Sequence, residues 1–383
     1  MNPLTALSLP QLRERRSAKW RTYGPDVLPL WVAEMDTPLA PPVAEALAAA
    51  VARGDTGYVW PGALAEAYAD FAAARLGWVP DPALALLVPD VMRGIVEVLG
   101  AVTERGDGVV VNPPVYPPFF SYLRDAQRRV VRVPLAEAGG GVYRLDLAGL
   151  EAAFAAGARA YLLCNPHNPT GTVFSREDLL AVAALAHRYG VRLLADEIHA
   201  PLAYPGTAAV PLLSLATEAE AAARGFVFGS TSKSWNLPGL KAALVFAGPA
   251  AGADLRVIPP DVPLSAGLLG VVAGEAALWH GRPWLDELLA ALDANRVLLA
   301  GLVAGHLPGV AYRPPDATYL AWLDCRATGL GDDPAASFLD RARVAVNPGP
   351  AFGEQGRGFV RLNFATSPEI LGEAVRRMAV ALA

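Results

Sequence analysis

"AYLLCNP" (160–166) is a short apolar run that stops at a polar residue and a proline. A run of this length without polar alternation reads as a strand buried on both faces, the pattern of a parallel sheet covered by helices. The pattern recurs along the chain. "GVVVNPPVYPPF" (108–119) opens with a β-branched run and breaks at prolines, "VRLLADE" (191–197) ends on two acids, and "GFVFGS" (225–230) ends on a serine. Helical segments separate several of these runs. "SREDLLAVAALAHRYG" (175–190) opens with a capping box at Ser175–Asp178, while "PPVAEALAAAVARG" (41–54) and "GALAEAYADFAAARLG" (62–77) carry helical spacing and stop at glycine. Strands alternating with helices predict an α/β fold on a mainly parallel sheet sandwiched by helices.

Near residue 280 the rhythm changes. A helical stretch (284–304) leads into "TYLAWLD" (318–324), which alternates as a strand does, and shorter elements follow to a final helix over 368–382. The expected organisation is an N-terminal arm (1–45) packing with a smaller α+β C-terminal domain (280–383), with a large ligand-binding domain (46–279) between them. At 383 residues the chain exceeds the usual single domain of roughly 100–200.

A net charge of −5, a pI near 5.6 and singly scattered basic residues leave no footprint for a polyanion, so a nucleic-acid partner is not expected. The mean hydropathy of +0.31 comes from Ala, Leu and Val mixed with Arg and Asp. No clean apolar run of 18 or more is seen, and the uncharged stretch 198–217 is broken by Pro201, Pro205 and Pro211, so neither a membrane span nor a membrane partner is expected. The N-terminus shows no signal-peptide pattern, and a cytoplasmic protein is expected. Cys164 and Cys325 have no CxxC spacing; they read as buried small residues, with neither a disulfide framework nor a metal site.

Ligands of open parallel sheets gather at the carboxyl ends of the strands. There the runs end in "NPPVY", "NPHNPTG", "DEIH" and "STSK", which would bring Tyr116, Asn168, Asp196, His199, Ser230, Ser232 and Lys233 to one crevice. An acid directly after a buried strand calls for a cationic partner. The lysine of "STSKSWNLPGLK" (230–241), alone a plain loop lysine, becomes in this company a candidate Schiff-base amine. Ser230, Ser232, Lys241 and the backbone amides of "PDVM" (89–92) entering a helix suit a phosphate. An aldehyde, a ring cation and a phosphate on one molecule describe pyridoxal 5′-phosphate (PLP).

"CNPHNPTG", "DEIH", "STSKSWNLPGLK" and "FVRLNFA", in this order, resemble the fold-type I PLP enzymes of the class I/II aminotransferase superfamily. "LPLWVAEMD", "GY" (57–58), "PPVYPPF", "TYLAWLD" and "GRGFVRLNFA" (356–365) are similar, within it, to the cystathionine β-lyase (C–S lyase) family of the MalY/PatB type. The resemblance spans nearly the whole chain. It implies that Lys233 carries the cofactor and moves the substrate's α-proton, and that Asp196 keeps the ring nitrogen protonated. Asn168 and His199 would address the ring's phenolic oxygen, and Tyr116 would stack on the ring. Val91 and Met92 through their amides, with Ser230, Ser232 and Lys241, would hold the phosphate. Tyr58 would reach it from a second subunit of a homodimer. Arg361, with Trp31, would take the substrate's α-carboxylate, since a guanidinium pairs with it two-pronged.

Plainer readings stand beside these: an exposed Lys241, a packing His199, a core Tyr58, and an Asn168 that only shapes its turn. The implied activity is cleavage of L-cystathionine or related cysteine S-conjugates to a thiol, pyruvate and ammonia. The alternatives are an aminotransferase on the same scaffold and a non-catalytic regulatory protein; the latter would have lost Lys233, Asp196 or Arg361, which are all present. Glu34, Thr37, Pro201 and "NFATSP" (363–368) depart from the family pattern, and lie where they are expected to bear on substrate choice.

Overall fold

The apolar runs become the centre of a seven-stranded sheet in the computed structural model, which describes residues 2–382. Across the sheet the strands follow the order Ala85–Val88, Ala243–Ala247, Phe226–Gly229, Arg192–Asp196, Ala158–Cys164, Gly108–Val111 and Arg129–Arg132. The last five pair in parallel, whereas Ala243–Ala247 runs antiparallel to both its neighbours. The sheet is thus mainly parallel, as expected, with that one reversal. The reversal was hidden because an all-apolar strand carries the same residues in either direction.

Side chains alternate across the strands, and the two faces fill two separate cores. Val110, Tyr161, Leu163, Leu193 and Val227 enter one cluster, while Val109, Val111, Leu162, Leu194 and Phe228 enter the other. Burial on both faces fixes register, because a slip of one residue would exchange the two cores. Cys164 therefore lies level with Asp196, and Asp196 level with Phe228, so the strands end together. The loops that follow open on one edge.

Helices close both faces. Val91–Val102 starts just after the edge strand Ala85–Val88, with Asp90 as N-cap accepting from the Arg93 N–H at 2.9 Å. Arg176–Tyr189 carries the expected capping box of Ser175 and Asp178 and stops at Gly190 in the left-handed conformation that glycine favours. Toward the C-terminus, helices Arg282–His306 and Pro368–Leu382 pack together against a four-stranded antiparallel sheet that includes Leu320–Asp324 and Phe359–Asn363. The arm joins this part of the molecule, Leu28–Pro29 pairing in parallel with Val344–Ala345. By length and composition Arg282–His306 is apolar enough to cross a membrane, a feature the sequence reading did not single out. Its Leu285, Leu288, Leu292, Leu299 and Val303 are buried in the core. Both cysteines are buried free thiols.

Candidate active site

The aligned strand ends and the loop 31–33 enclose a cavity of about 630 Å³. It is lined by Lys233, Asp196, Asn168, His199, Tyr116, Val91, Met92, Ser230, Ser232, Lys241, Arg361 and Trp31. Every sequence candidate but one is thus in one place. The exception is Tyr58, which is 94% exposed and lines no part of it. The core reading of Tyr58 is thereby excluded.

Lys233 follows strand Phe226–Gly229 by four residues, and its Nζ donates to the carbonyl of Ala33 at 2.9 Å. Burial, with the Arg361 charge nearby, pushes its amine down to about 8, against the pull of Asp196 and Glu34. A substantial share of neutral amine near physiological pH is what nucleophilic and basic work requires. Asp196 ends its strand buried, its Oδ1 accepting from the Ile198 N–H at 3.2 Å. Burial raises its carboxyl to about 6, and no cation lies within ion-pair distance among the described residues. His199 faces the same space with its Nδ1 lacking any partner, and burial lowers its ring to about 3, so it is neutral.

Arg361 sits in strand Phe359–Asn363 and is 3% exposed. Its Nη1 donates to Asn168 Oδ1 and its Nη2 to the Trp31 carbonyl, both at 3.0 Å, and its Nε has no partner. With its amide turned so that oxygen faces the guanidinium, Asn347 accepts from Nη2 at 2.8 Å and donates to the Trp31 carbonyl at 2.9 Å. Burial holds the guanidinium down at about 10. No carboxylate of the described residues pairs with it, which leaves an anion site inside the cavity.

At the other end lie the first turn of helix Val91–Val102, with Val91 and Met92, and the loop of Ser230 and Ser232. Ser230 Oγ donates to the Ala242 carbonyl at 2.8 Å and accepts from the Ser232 N–H at 3.1 Å. Lys241 is exposed, as its plainer reading had it, and its Nζ pairs with Asp90 Oδ2 at 3.1 Å. Helix N–H groups, hydroxyls and a lysine thus gather as donors at this end of the cavity. Tyr116 lines the same cavity, its hydroxyl raised to about 12 chiefly by burial.

The residues that depart from the family pattern do not line this cavity. Pro201 lines a separate one with Phe71 and Leu285, Glu34 is bonded to Ser17, and Thr37 and 363–367 are buried. Of these, half-buried Glu34 still acts on the Lys233 amine through its charge, from outside the lining. Sequence reasoning missed Tyr23, Tyr122 and Asn347 in the lining, and Asn236 behind it. Of these, only Asn236 gave a signal, as a polar residue of "STSKSWNLPGLK" with no assigned task.

A crevice at the ends of parallel strands, with a weakly basic lysine, an acid without a cation and an arginine without an anion, defines an enzyme site for a small amino-acid-like ligand. The chain belongs to the family of class I and II aminotransferases, whose model matches residues 25–378. It is 50% identical to a Mycobacterium leprae protein named "Putative cystathionine beta-lyase", covering 100% of this chain and 98% of that protein. It is 38% identical to the cystathionine beta-lyase of Corynebacterium glutamicum, over 98% and 99% of the two chains. A solved Corynebacterium diphtheriae structure described as a "putative plp-dependent beta-cystathionase" superposes with a TM-score of 0.91 at 41% identity, over 98% of each chain.

Proposed function

We propose that this protein is a PLP-dependent carbon–sulfur β-lyase that cleaves L-cystathionine and related cysteine S-conjugates to a thiol, pyruvate and ammonia. The observation that carries the reading is a pair of buried charges near a weakly basic lysine, Asp196 and Arg361, neither of which has an ion-pair partner among the described residues. The donor set fits PLP, whose ring nitrogen is the cation Asp196 lacks and whose phosphate matches the site at Val91, Met92, Ser230, Ser232 and Lys241. Lys233 would hold its aldehyde carbon, Asn168 and His199 its phenolic oxygen, and Tyr116 its ring face. When bound, PLP supplies an electron sink for the pair left on the substrate's α-carbon.

The residues of the chain do the rest. Arg361 binds the α-carboxylate beside Trp31 and orients the substrate. Lys233, where its amine is free and neutral, would remove the α-proton. Asp196, kept ionised by the ring cation, holds that cation in place.

We also infer a twofold homodimer, in which an exposed Tyr58 reaches the phosphate of the other subunit's site. A fully active monomer in sedimentation at assay concentration would contradict it. The division into arm 1–45, large domain 46–279 and small domain 280–383 belongs to the same proposal, as does a cytoplasmic location, where Cys164 and Cys325 stay reduced.

The test is to incubate PLP-loaded protein with L-cystathionine and no keto acid, following pyruvate, ammonia and free thiol. Equal release of all three over many turnovers is expected. A single conversion that stalls until a keto acid is added would mean an aminotransferase instead.

A further inference from the structure

Residues 31–37 form no helix or strand, yet the segment is tightly held. Its carbonyls accept from side chains gathered across the molecule. Trp31 O accepts from Arg361, and Val32 O and Glu34 O both accept from Asn363 Nδ2 at 2.7 Å. Glu34 O also accepts from Lys19 at 3.0 Å, and Met35 O accepts from Arg15 at 3.1 Å. Ala33 O, at the middle, accepts from Lys233 Nζ at 2.9 Å and from the Tyr319 hydroxyl at 3.1 Å.

One brace joins this strap to the loop of the lysine itself. Asn236, three residues after Lys233, accepts from the Met35 N–H at 2.8 Å and donates to the Met35 carbonyl at 2.9 Å. A side-chain amide that satisfies both backbone groups of one residue fixes its position and orientation together. Asn236 itself stands at φ 58°, a left-handed conformation that asparagine tolerates better than most residues. The loop is thus shaped to present this amide.

We propose that Asn236 is a positioning residue for Lys233: by gripping Met35 it fixes the Ala33 carbonyl as the acceptor that holds the lysine's amine whenever that amine is free. The inference rests on the reading of Lys233 as the reacting amine. A neutral amine that donates one N–H to Ala33 O keeps its lone pair for the substrate's α-proton. Once it has taken that proton, the ammonium binds the same carbonyl more strongly, because a charged donor makes the stronger bond. The carbonyl therefore favours the protonated lysine and supports its basicity. Asp196 and Glu34 act in the same sense, Arg361 in the opposite one, and neutral His199 and the Tyr319 hydroxyl complete the surroundings.

Two variants separate positioning from mere support. Asn236→Gly removes the brace without straining the backbone, since glycine adopts φ near +58° freely. The Ala33 carbonyl then drifts, and the lysine becomes less basic. Tyr319→Phe removes the second donor on that carbonyl and leaves the whole acceptor to Lys233, which becomes more basic. The measurement is the rate at which apo-protein covalently attaches added PLP, followed by absorbance as a function of pH.

Relative to the parent, the midpoint is expected to move to lower pH in Asn236→Gly and to higher pH in Tyr319→Phe. In the loaded enzyme Asn236→Gly should lower kcat roughly tenfold or more, as misplacement of a reacting group does, with KM within about threefold. Unmoved midpoints, or shifts in the same direction, would overturn the proposal. Should Asn236→Gly not fold, the upward shift in Tyr319→Phe decides alone, and its absence is refuting. Covalent attachment that survives in Lys233→Ala would instead bring down the functional reading beneath it.

Discussion

Replacing Arg361 by methionine should cut kcat/KM by roughly 10²- to 10³-fold while leaving the protein almost as stable as before. The guanidinium is buried and pushed down to about 10, so keeping its charge in the fold costs about 3 kcal/mol. Against this stand its hydrogen bonds to Asn168, to the Trp31 carbonyl and to the turned Asn347 amide, each worth about 1.5 kcal/mol at the low end for a charged donor. The balance favours the arginine by only about 1.5 kcal/mol. Methionine fills similar space, and Asn347 can still donate to the Trp31 carbonyl. The expected change in Tm of the apo-protein is within about 3 °C. The substrate, in contrast, loses a two-pronged pairing worth about 3 to 4 kcal/mol, roughly 10²- to 10³-fold in kcat/KM. Calorimetry of the apo-protein and steady-state kinetics of the loaded enzyme give the two numbers. A Tm lower by 10 °C or so with kcat/KM nearly intact would show that Arg361 holds the strands together and that the substrate carboxylate binds elsewhere.

Lys233→Ala should abolish both turnover and the absorbance of lysine-bound cofactor, and survival of either refutes its role. Glu197, buried next to Asp196 with one oxygen unpartnered, is raised by burial to about 8. A carboxyl whose folded value lies above its unfolded one favours the fold when protonated, so apo-protein stability should fall as pH rises from about 4.5 through 8. Glu197→Gln, which keeps an acceptor for the Leu212 N–H, should flatten that slope, and denaturant melts at pH 5 and 8.5 check it. Tyr58→Ala should weaken PLP binding without destabilising the subunit, because its side chain touches little within it. Mixed refolding with Lys233→Ala chains should then restore activity above the sum of the two, since one site of each hybrid dimer is intact; no recovery argues against the shared site.

Much of the site was legible because parallel strands end together. Once four apolar runs were read as neighbours in one sheet, the polar residues after each had to share an edge, and Tyr116, Asn168, Asp196 and Lys233 do. Arg361 was legible for another reason: a guanidinium inside "GFVRLNF" needs a partner, and the described residues provide no carboxylate for it. The strap was not legible. Residues 31–37 act at the site through carbonyls, which every residue type carries alike, so "WVAEMDT" could be matched to a family but not given a task. The direction of strand Ala243–Ala247 and the place of Pro201 outside the cavity were hidden likewise, since both depend on the path of the chain rather than on the residue.

Asp196 and Arg361 pose the deepest question about the site. Two opposite charges buried in one cavity would lower their energy by pairing, and among the described residues they do not pair. Asn168 and the Trp31 carbonyl instead hold the guanidinium with neutral groups, which orient it but leave its charge uncompensated. Asp196 is kept at the end of its strand by a register that cannot slip without exchanging the two cores. The fold therefore keeps the charges separate and bears the desolvation of both. Such an arrangement is stable enough only because the large cores offset it, and useful only if a ligand brings a cation to one end and an anion to the other. A PLP ring nitrogen and an amino-acid carboxylate do that, with Lys233 between them. A chain in which Asp196 and Arg361 were allowed to meet would be the more stable protein and would have no place for either ligand.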